Sequence, residues 1–242
     1  MKFIQHYSGS SGNLYEIIAD NGKRLLLDPG VSWKMIQKAL VYDLKNIVGC
    51  LVTHEHLDHC KGVPELLKAG IDIYASPGTI REMKLEGVRN VNILGLIGKE
   101  YQIGLGTFIV QAYKANHDAA DPLFFVIKSD NEYLLFAPDT AFIKQKFKFP
   151  FSIIAIECSY DNYILQLRVD TEDINESLAK RLISSHMEKT VAMDYIAKYC
   201  DLSKCRELHL LHMSNDNIDK ELTRAEFEQK FFIKTIICKK RE

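Results

Sequence analysis

The amino-acid sequence predicts an α/β fold, and three observations carry that expectation. Short apolar runs closed by turn residues alternate with stretches of helical spacing. Five of the apolar runs end on a residue able to do chemistry, and sites of open α/β sheets form at strand carboxyl ends. No repeat, low-complexity tract or Pro/Gly linker interrupts the 242 residues, so residues 1–242 read as one domain.

The opening reads as a hairpin: apolar Leu14 to Ala19, a turn at Asn21-Gly22, then Arg24 to Leu27 running into Asp28-Pro29-Gly30. Ahead of it, Ser8-Gly9-Ser10-Ser11-Gly12-Asn13 is a loop of small residues between strands. Trp33 to Leu40 has helical spacing, and Val63 to Ala69 is a short helix stopped by Gly70. Ile71 to Ala75 reads as a strand, and Thr79 to Glu86 as a helix stopped by Gly87. From Val91 to Glu157 the pattern is strand-rich, with Thr107 to Tyr113, Leu123 to Lys128, Glu132 to Ala137 and Ser152 to Ile156 as the clearest runs.

The final third turns helical. Thr171 precedes Glu172 and Asp173, acids suited to a first turn, and Ile174, Leu178 and Leu182 recur every four residues. A second helix is expected to begin at Ser185, because Ser185-His186-Met187-Glu188 fits the capping box, and to run through Val191, Tyr195 and Tyr199. Leu208 to Leu211 is a strand, Thr223 to Lys230 a helix, and Ile233 to Ile237 the last strand.

Composition narrows the function classes. With 31 Lys+Arg against 32 Asp+Glu the formal charge is −1, and 47% of residues are hydrophobic, which excludes a disordered tail protein. No apolar run approaches the roughly 20 residues that span a bilayer. The first residues reach Ser and Gly too soon for a signal peptide, so a cytoplasmic chain with no membrane partner is expected. The six cysteines, at 50, 60, 158, 200, 205 and 238, form no C-x-x-C pair and fit a reducing compartment. A charge near zero exerts no global pull on nucleic acid, so any such binding depends on local clusters.

The five apolar runs lead to His54, His117, Asp139, Glu157 and His212. The sharpest element is the H-x-H-x-D-H string at His54, His56, Asp58 and His59. Three imidazoles and a carboxylate this close together are too many for one ion with an open position. Asp58 and His59 can instead turn away from His54 and His56 to serve a second ion. The chain supplies what is then missing: His117 for the first ion, Asp139 as a carboxylate bridging both, and His212 for the second. A lone His after a strand is usually a surface or core residue; it is the clustering in the string that changes the reading.

The string and the spaced His, Asp and His that follow it resemble the metallo-β-lactamase superfamily. The resemblance extends to Ser8-Gly9-Ser10-Ser11-Gly12-Asn13, Leu26-Leu27-Asp28-Pro29-Gly30, His117-Asp118, Pro138-Asp139-Thr140, Ile156-Glu157 and Leu211-His212-Met213-Ser214. Their order is that of the YycJ-type (WalJ) branch, allied to RNase Z-like nucleases. It implies a four-layer αββα sandwich with a two-metal site at one edge, and exonuclease activity from DNA 5′ ends.

By the same resemblance Glu157 and His186 are the proton-donor pair, with His186 protonating the leaving oxygen and Asp58 serving catalysis as well as metal binding. A helix N-terminus at His186 would bias the ring toward neutral, whereas a bonded carboxylate favours imidazolium. Asp28 is expected to accept a ligand imidazole's other N–H. The loop at Ser10, Ser11, Gly12 and Asn13 is a substrate-phosphate candidate, though equally a plain turn. His6 and His209 read as structural, and Cys60 and Cys158 as packing beside the site without ligating. Lys144, Lys146 and Lys148 alternate with Phe147 and Phe149, a pattern that fits a nucleic-acid groove and, more simply, one amphipathic strand.

Two segments depart from the branch. Ser185-His186-Met187-Glu188 stands for the usual Gly-His-Leu-Ser, and Cys158-Ser159-Tyr160-Asp161 where Asn-His-Asp is common. The function expected is a binuclear-metal-dependent phosphodiesterase, a DNA nuclease first, whose nucleophile is a hydroxide held between the metals. Its cofactors are two divalent ions, zinc ahead of manganese or iron, its partner nucleic acid, and a homodimer is left open. A hydrolase of cyclic nucleotides, small phosphodiesters or thioesters is the first alternative, and a non-catalytic metal-binding module the second.

Overall fold

The structure is a computed structural model and describes residues 1–94 and 101–238. The stretch 95–100 of the expected strand-rich region lies outside the described residues. The chain divides into two compact units, one of Met1–Lys114, Ala119–Glu132 and Cys238, the other of Ala115–Asp118 and Tyr133–Ile237.

In the first unit β1 (Lys2–Tyr7), β2 (Leu14–Ile18) and β3 (Arg24–Leu27) pair antiparallel. The β2–β3 turn uses Gly22 at φ 78°, a left-handed conformation that costs glycine little. The strands β4 (Ile47–Leu51), β5 (Ile73–Ala75) and β6 (Val91–Ile93) then add in parallel, giving the order β1-β2-β3-β4-β5-β6. Parallel neighbours need crossovers, and these carry α1 (Trp33–Ala39), α2 (Leu57–Cys60), α3 (Val63–Lys68) and α4 (Pro77–Glu82). Leu26, Ile36, Val52, Leu66, Ile73 and Ile80 meet in the core they enclose. The helix expected at Thr79 begins two residues earlier, where Ser76 caps it and Pro77 takes the first position. It stops before Gly87 because Lys84 turns left-handed at φ 57°. A further antiparallel run joins β7 (Tyr101–Leu105), β8 (Phe108–Lys114) and β9 (Leu123–Ser129).

In the second unit β10 (Glu132–Ala137), β11 (Ile153–Glu157), β12 (Glu207–Leu211) and β13 (Lys234–Ile237) run parallel in that order. Every residue of β11 is buried, the continuous apolar pattern of a strand covered on both faces. Between β11 and β12 lie α5 (Asn162–Asp170), α6 (Glu176–Ser185) and α7 (Lys189–Tyr199), and α8 (Lys220–Phe231) precedes β13.

Three expectations change here. Thr171 does not open a helix but closes α5, and α6 starts at Glu176 under an Asn175 cap whose Oδ1 accepts Leu178 N–H at 2.8 Å. Ser185 does not cap α7 either: it ends α6, and its hydroxyl donates back to the Arg181 carbonyl at 2.7 Å. The cap of α7 is Glu188, whose carboxylate accepts the N–H groups of Thr190 and Val191 at 2.6 and 3.2 Å. His186 and Met187 thus lie between α6 and α7, and Met187 O accepts Ser159 N–H at 2.9 Å while Tyr160 bridges Glu188 in parallel. Finally, the expected amphipathic strand around Lys144 to Lys148 has no strand ladder. Among the described residues no helix is long and apolar enough to cross a membrane.

The reassigned cap can be tested by urea unfolding. Glu188→Ala should lower stability by about 1 kcal/mol, a usual N-cap loss, and Ser185→Ala by clearly less; the reverse ranking would restore the capping box at Ser185.

Candidate metal centre

In the first unit the string follows β4. His56 is the N-cap of α2, and its carbonyl accepts the N–H groups of His59 and Cys60 at 2.8 and 3.1 Å, a turn that folds His59 inward. The His54 ring lies 4.1 Å from the His59 ring and 4.6 Å from the His56 ring, centroid to centroid. Glu55 faces elsewhere and accepts Ala120 N–H at 2.7 Å.

Asp28 sets the proton positions of this cluster. It is fully buried, and it accepts Thr53 N–H at 2.8 Å and the Thr53 hydroxyl at 2.9 Å. His59 Nδ1 lies 2.9 Å from its Oδ2 and therefore carries the proton, which leaves Nε2 as the lone-pair nitrogen. Since the Thr53 hydroxyl gives its hydrogen to Asp28, it accepts from His54 Nδ1 at 3.0 Å. His54 Nε2 is then also a lone-pair donor, and it lies 3.1 Å from His56 Nδ1. Two imidazole nitrogens converging in this way suit one divalent cation.

Asn13 ties the small-residue loop to this arrangement. Its Oδ1 accepts Gly9 N–H at 2.9 Å and the Tyr15 hydroxyl at 3.0 Å, so its Nδ2 faces His59 Nε2 and the Asp58 carbonyl, both at 3.0 Å. Ser10 and Ser11 are exposed, whereas Gly12 and Asn13 are buried. Asp58 Oδ2 lies 3.6 Å from His59 Nε2. Burial, reinforced by Asp28, Glu55 and Asp58, pushes the Cys60 thiol up to about 12, so it stays protonated.

In the second unit the parallel strands deliver the remaining residues to one edge. Asp139 follows β10 at φ 41°, Glu157 ends β11 fully buried, and His212 follows β12 at φ 51°. His212 Nδ1 lies 3.5 Å from Asp139 and 3.8 Å from Glu157. His117 donates from Nδ1 to the Ser185 carbonyl at 2.8 Å, leaving Nε2 as its lone-pair nitrogen, 3.7 Å from Asp139 Oδ2. Asp139, Glu157, His186 and His212 each offer one ligand-type atom within 4.8 Å of the others.

His186 closes this group at the carboxyl end of α6, the opposite helix end from the one expected. Its Nδ1 meets Glu157 Oε1 at 2.6 Å, and its ring stacks on His212 at 5.3 Å. Glu157 Oε2 takes Thr140 N–H at 2.6 Å, which locks the carboxylate. Burial opposes a charge on His186, but the charge and hydrogen bond of Glu157, with Asp139 and Asp118 beyond, push the imidazole up to about 9. His6 and His209 sit in strands, beside Glu16 at 2.8 Å and Glu207 at 3.3 Å.

These arrangements agree with the comparisons to known proteins. Residues 23–194 match the beta-lactamase superfamily domain. The chain belongs to that superfamily. This superfamily member is 28% identical to the exodeoxyribonuclease YycJ of Bacillus anthracis over 239 residues, covering 92% of this chain and 86% of that protein. It is 26% identical to the exodeoxyribonuclease WalJ of Streptococcus pneumoniae over 234 residues, covering 89% and 82%. The metallo-beta-lactamase fold protein YhfI of Bacillus subtilis matches with a TM-score of 0.71 at 16% identity, covering 98% of this chain and 95% of that one. The superfamily, the YycJ/WalJ likeness and the fold class expected from the motifs are borne out, and this member is a metal-dependent hydrolase.

Two positioning residues escaped the sequence reading, Thr53 and Gly30. The Asp28-Pro29-Gly30 turn was the available signal for Gly30. A Cβ there would meet the Asp58 carbonyl oxygen at 1.6 Å and the His59 nitrogen at 2.6 Å. Gly30→Ala should therefore shift Asp58 and His59 and lower zinc affinity about tenfold or more, measured by competition with a chromogenic chelator. Unchanged affinity would remove Asp58 and His59 from the metal set.

In the metal-free chain, NMR titration should place the His186 midpoint at about 9, against 6.5 for an unperturbed imidazole. Folding raises the value, so the pair's contribution to stability is full below about 6.5 and is lost as pH rises through about 9. A midpoint near 6.5 would mean that Glu157 does not hold the ring.

Proposed function

We propose that the chain is a binuclear-metal-dependent phosphodiesterase acting on nucleic acid, most directly a DNA exonuclease. The observation that carries this reading is the Glu157–His186 pair, 2.6 Å apart, beside Asp139 and His212. A structural metal site has no use for a buried carboxylate spent on holding a histidine that carries a proton.

In this reading His54, His56 and His117 would hold one cation and Asp58, His59 and His212 a second, with Asp139 shared. Zinc suits the imidazole-rich set, and the carboxylates also accept manganese or iron. When bound, such ions lower the pKa of a water and neutralise phosphoryl oxygens. Asp28 and Thr53 keep the His54 and His59 protons on the nitrogens turned away from the metal. Ser185 does the same for His117. Glu157 fixes His186 by Nδ1, which leaves the proton on Nε2 for the oxygen of the departing nucleoside. The likeness to two named exodeoxyribonucleases supports DNA as that substrate.

The test is cleavage of end-labelled, 5′-phosphorylated single- and double-stranded DNA with zinc or manganese, comparing the parent with Asp139→Asn and His186→Ala. Stepwise products from the 5′ end are expected, lost with Asp139→Asn and slowed about a hundredfold or more with His186→Ala. Turnover of an activated small phosphodiester without cleavage of DNA or RNA would replace this reading with a small-substrate hydrolase.

A further inference from the structure

We propose that the outward row Phe142, Lys144, Lys146 and Lys148 is the track along which a single DNA strand lies next to the site, an inference that rests on the nucleic-acid reading above. The row starts at the site itself. Thr140 follows Asp139, gives its N–H to Glu157 at 2.6 Å, and gives its hydroxyl to the Phe142 carbonyl at 2.9 Å. From there the chain runs on without joining a strand ladder, and its exposure alternates. Phe142, Lys144, Lys146 and Lys148 face out, whereas Ile143 is buried and Gln145, Phe147 and Phe149 are partly covered.

The underside is fastened. The Tyr195 hydroxyl donates to the Gln145 carbonyl at 3.0 Å, Phe149 stacks on Tyr133 at 4.5 Å, and Phe147 packs on Phe151 at 5.6 Å. An extended chain repeats its faces every second residue, about 6.6 Å apart, so the four outward side chains span about 20 Å. The line of one ring and three cations is thus anchored from beneath at Gln145, Phe147 and Phe149.

The charge on this line is uncompensated. No Asp or Glu occurs from Thr140 to Ile156, in a chain whose net charge is −1. Among the described residues none of the three ammonium groups pairs with a carboxylate. Lys144 lies over the Phe142 ring at 5.4 Å and Lys146 over the Tyr199 ring at 4.8 Å. Phe142 itself is 39% exposed, three residues from the buried Asp139 carboxylate. Regularly spaced cations that follow a phosphate backbone, with an aromatic face for a base, are the elements of single-strand recognition. An amphipathic strand would instead have used its backbone in a ladder.

The test is fluorescence anisotropy of the protein as purified with a phosphorothioate oligothymidylate, which resists cleavage. Binding is expected to weaken tenfold or more in the triple variant Lys144→Gln/Lys146→Gln/Lys148→Gln. The slope of log affinity against log salt should fall by about two, since each phosphate contact on a single strand contributes about 0.7. Phe142→Ala should weaken binding roughly tenfold with the slope intact. All four side chains are exposed, and matching melting curves check the fold.

Affinity and slope unchanged in the triple variant overturn the track, as does a parent that does not bind the strand. Polyglutamate competing as well as the oligonucleotide would also overturn it, by marking a general anion surface. Binding lost as expected in a parent that cleaves no nucleic acid would keep the track and defeat the nuclease reading. Cleavage with binding indifferent to the row would do the reverse.

Discussion

A carboxylate without solvent exposure governs the histidine string. Asp28 follows β3, and the parallel pairing of Leu27 with Leu51 brings it alongside Val52 and Thr53 at the end of β4. Its own N–H is spent on the Leu51 carbonyl at 2.9 Å. Burying a charge costs several kcal/mol unless its lone pairs are filled, and here the Thr53 N–H, the Thr53 hydroxyl and His59 fill them. The two faces of this interaction are inseparable: the hydrogen bonds that make the burial tolerable also fix the tautomers of His54 and His59.

A second constraint is conformational. Asp28, Asp139 and His212 have φ of 47°, 41° and 51°, and each lies just beyond the carboxyl end of a strand that runs parallel to its neighbour. Non-glycine residues are uncommon there, and each such position costs about 1–3 kcal/mol. Glycine would relieve the strain but has no side chain to offer. The left-handed corner breaks the in-and-out alternation of the strand just where these three side chains leave it.

The parts of the site legible in sequence were those with local causes. H-x-H-x-D-H is a close local spacing, and β4, β10, β11 and β12 are mostly apolar runs whose ends are easily found. The rest depended on partners distant in the chain. Thr53 reads as an ordinary strand residue until Asp28, 25 positions earlier, is seen to use both its donors. The helix α5 was not legible because only Leu165 is buried, while Tyr163 and Leu167 stand 77% and 50% exposed, so no apolar stripe marks it. The S-x-x-E pattern at Ser185 misled because a serine hydroxyl can also turn back onto the preceding helix, and Glu188 was free to cap α7 alone.

That reassignment changes the electrostatics of His186, the proposed proton donor. A histidine opening a helix would feel the positive end of the dipole and lose its proton more readily, whereas His186 closes α6, where the carbonyl end favours imidazolium. The helix end and Glu157 therefore act in the same direction. The same turn orients a second ring, because the Ser185 carbonyl takes the His117 Nδ1 hydrogen. The two segments that depart from the YycJ-type pattern, Cys158 to Asp161 and Ser185 to Glu188, also meet each other. Ser159 N–H reaches the Met187 carbonyl at 2.9 Å and Tyr160 bridges Glu188 in parallel, and just beyond them the Lys189 ammonium reaches Asp161 at 2.6 Å. Both departures therefore lie beside the backbone that carries His186, and neither falls on a residue that would hold metal.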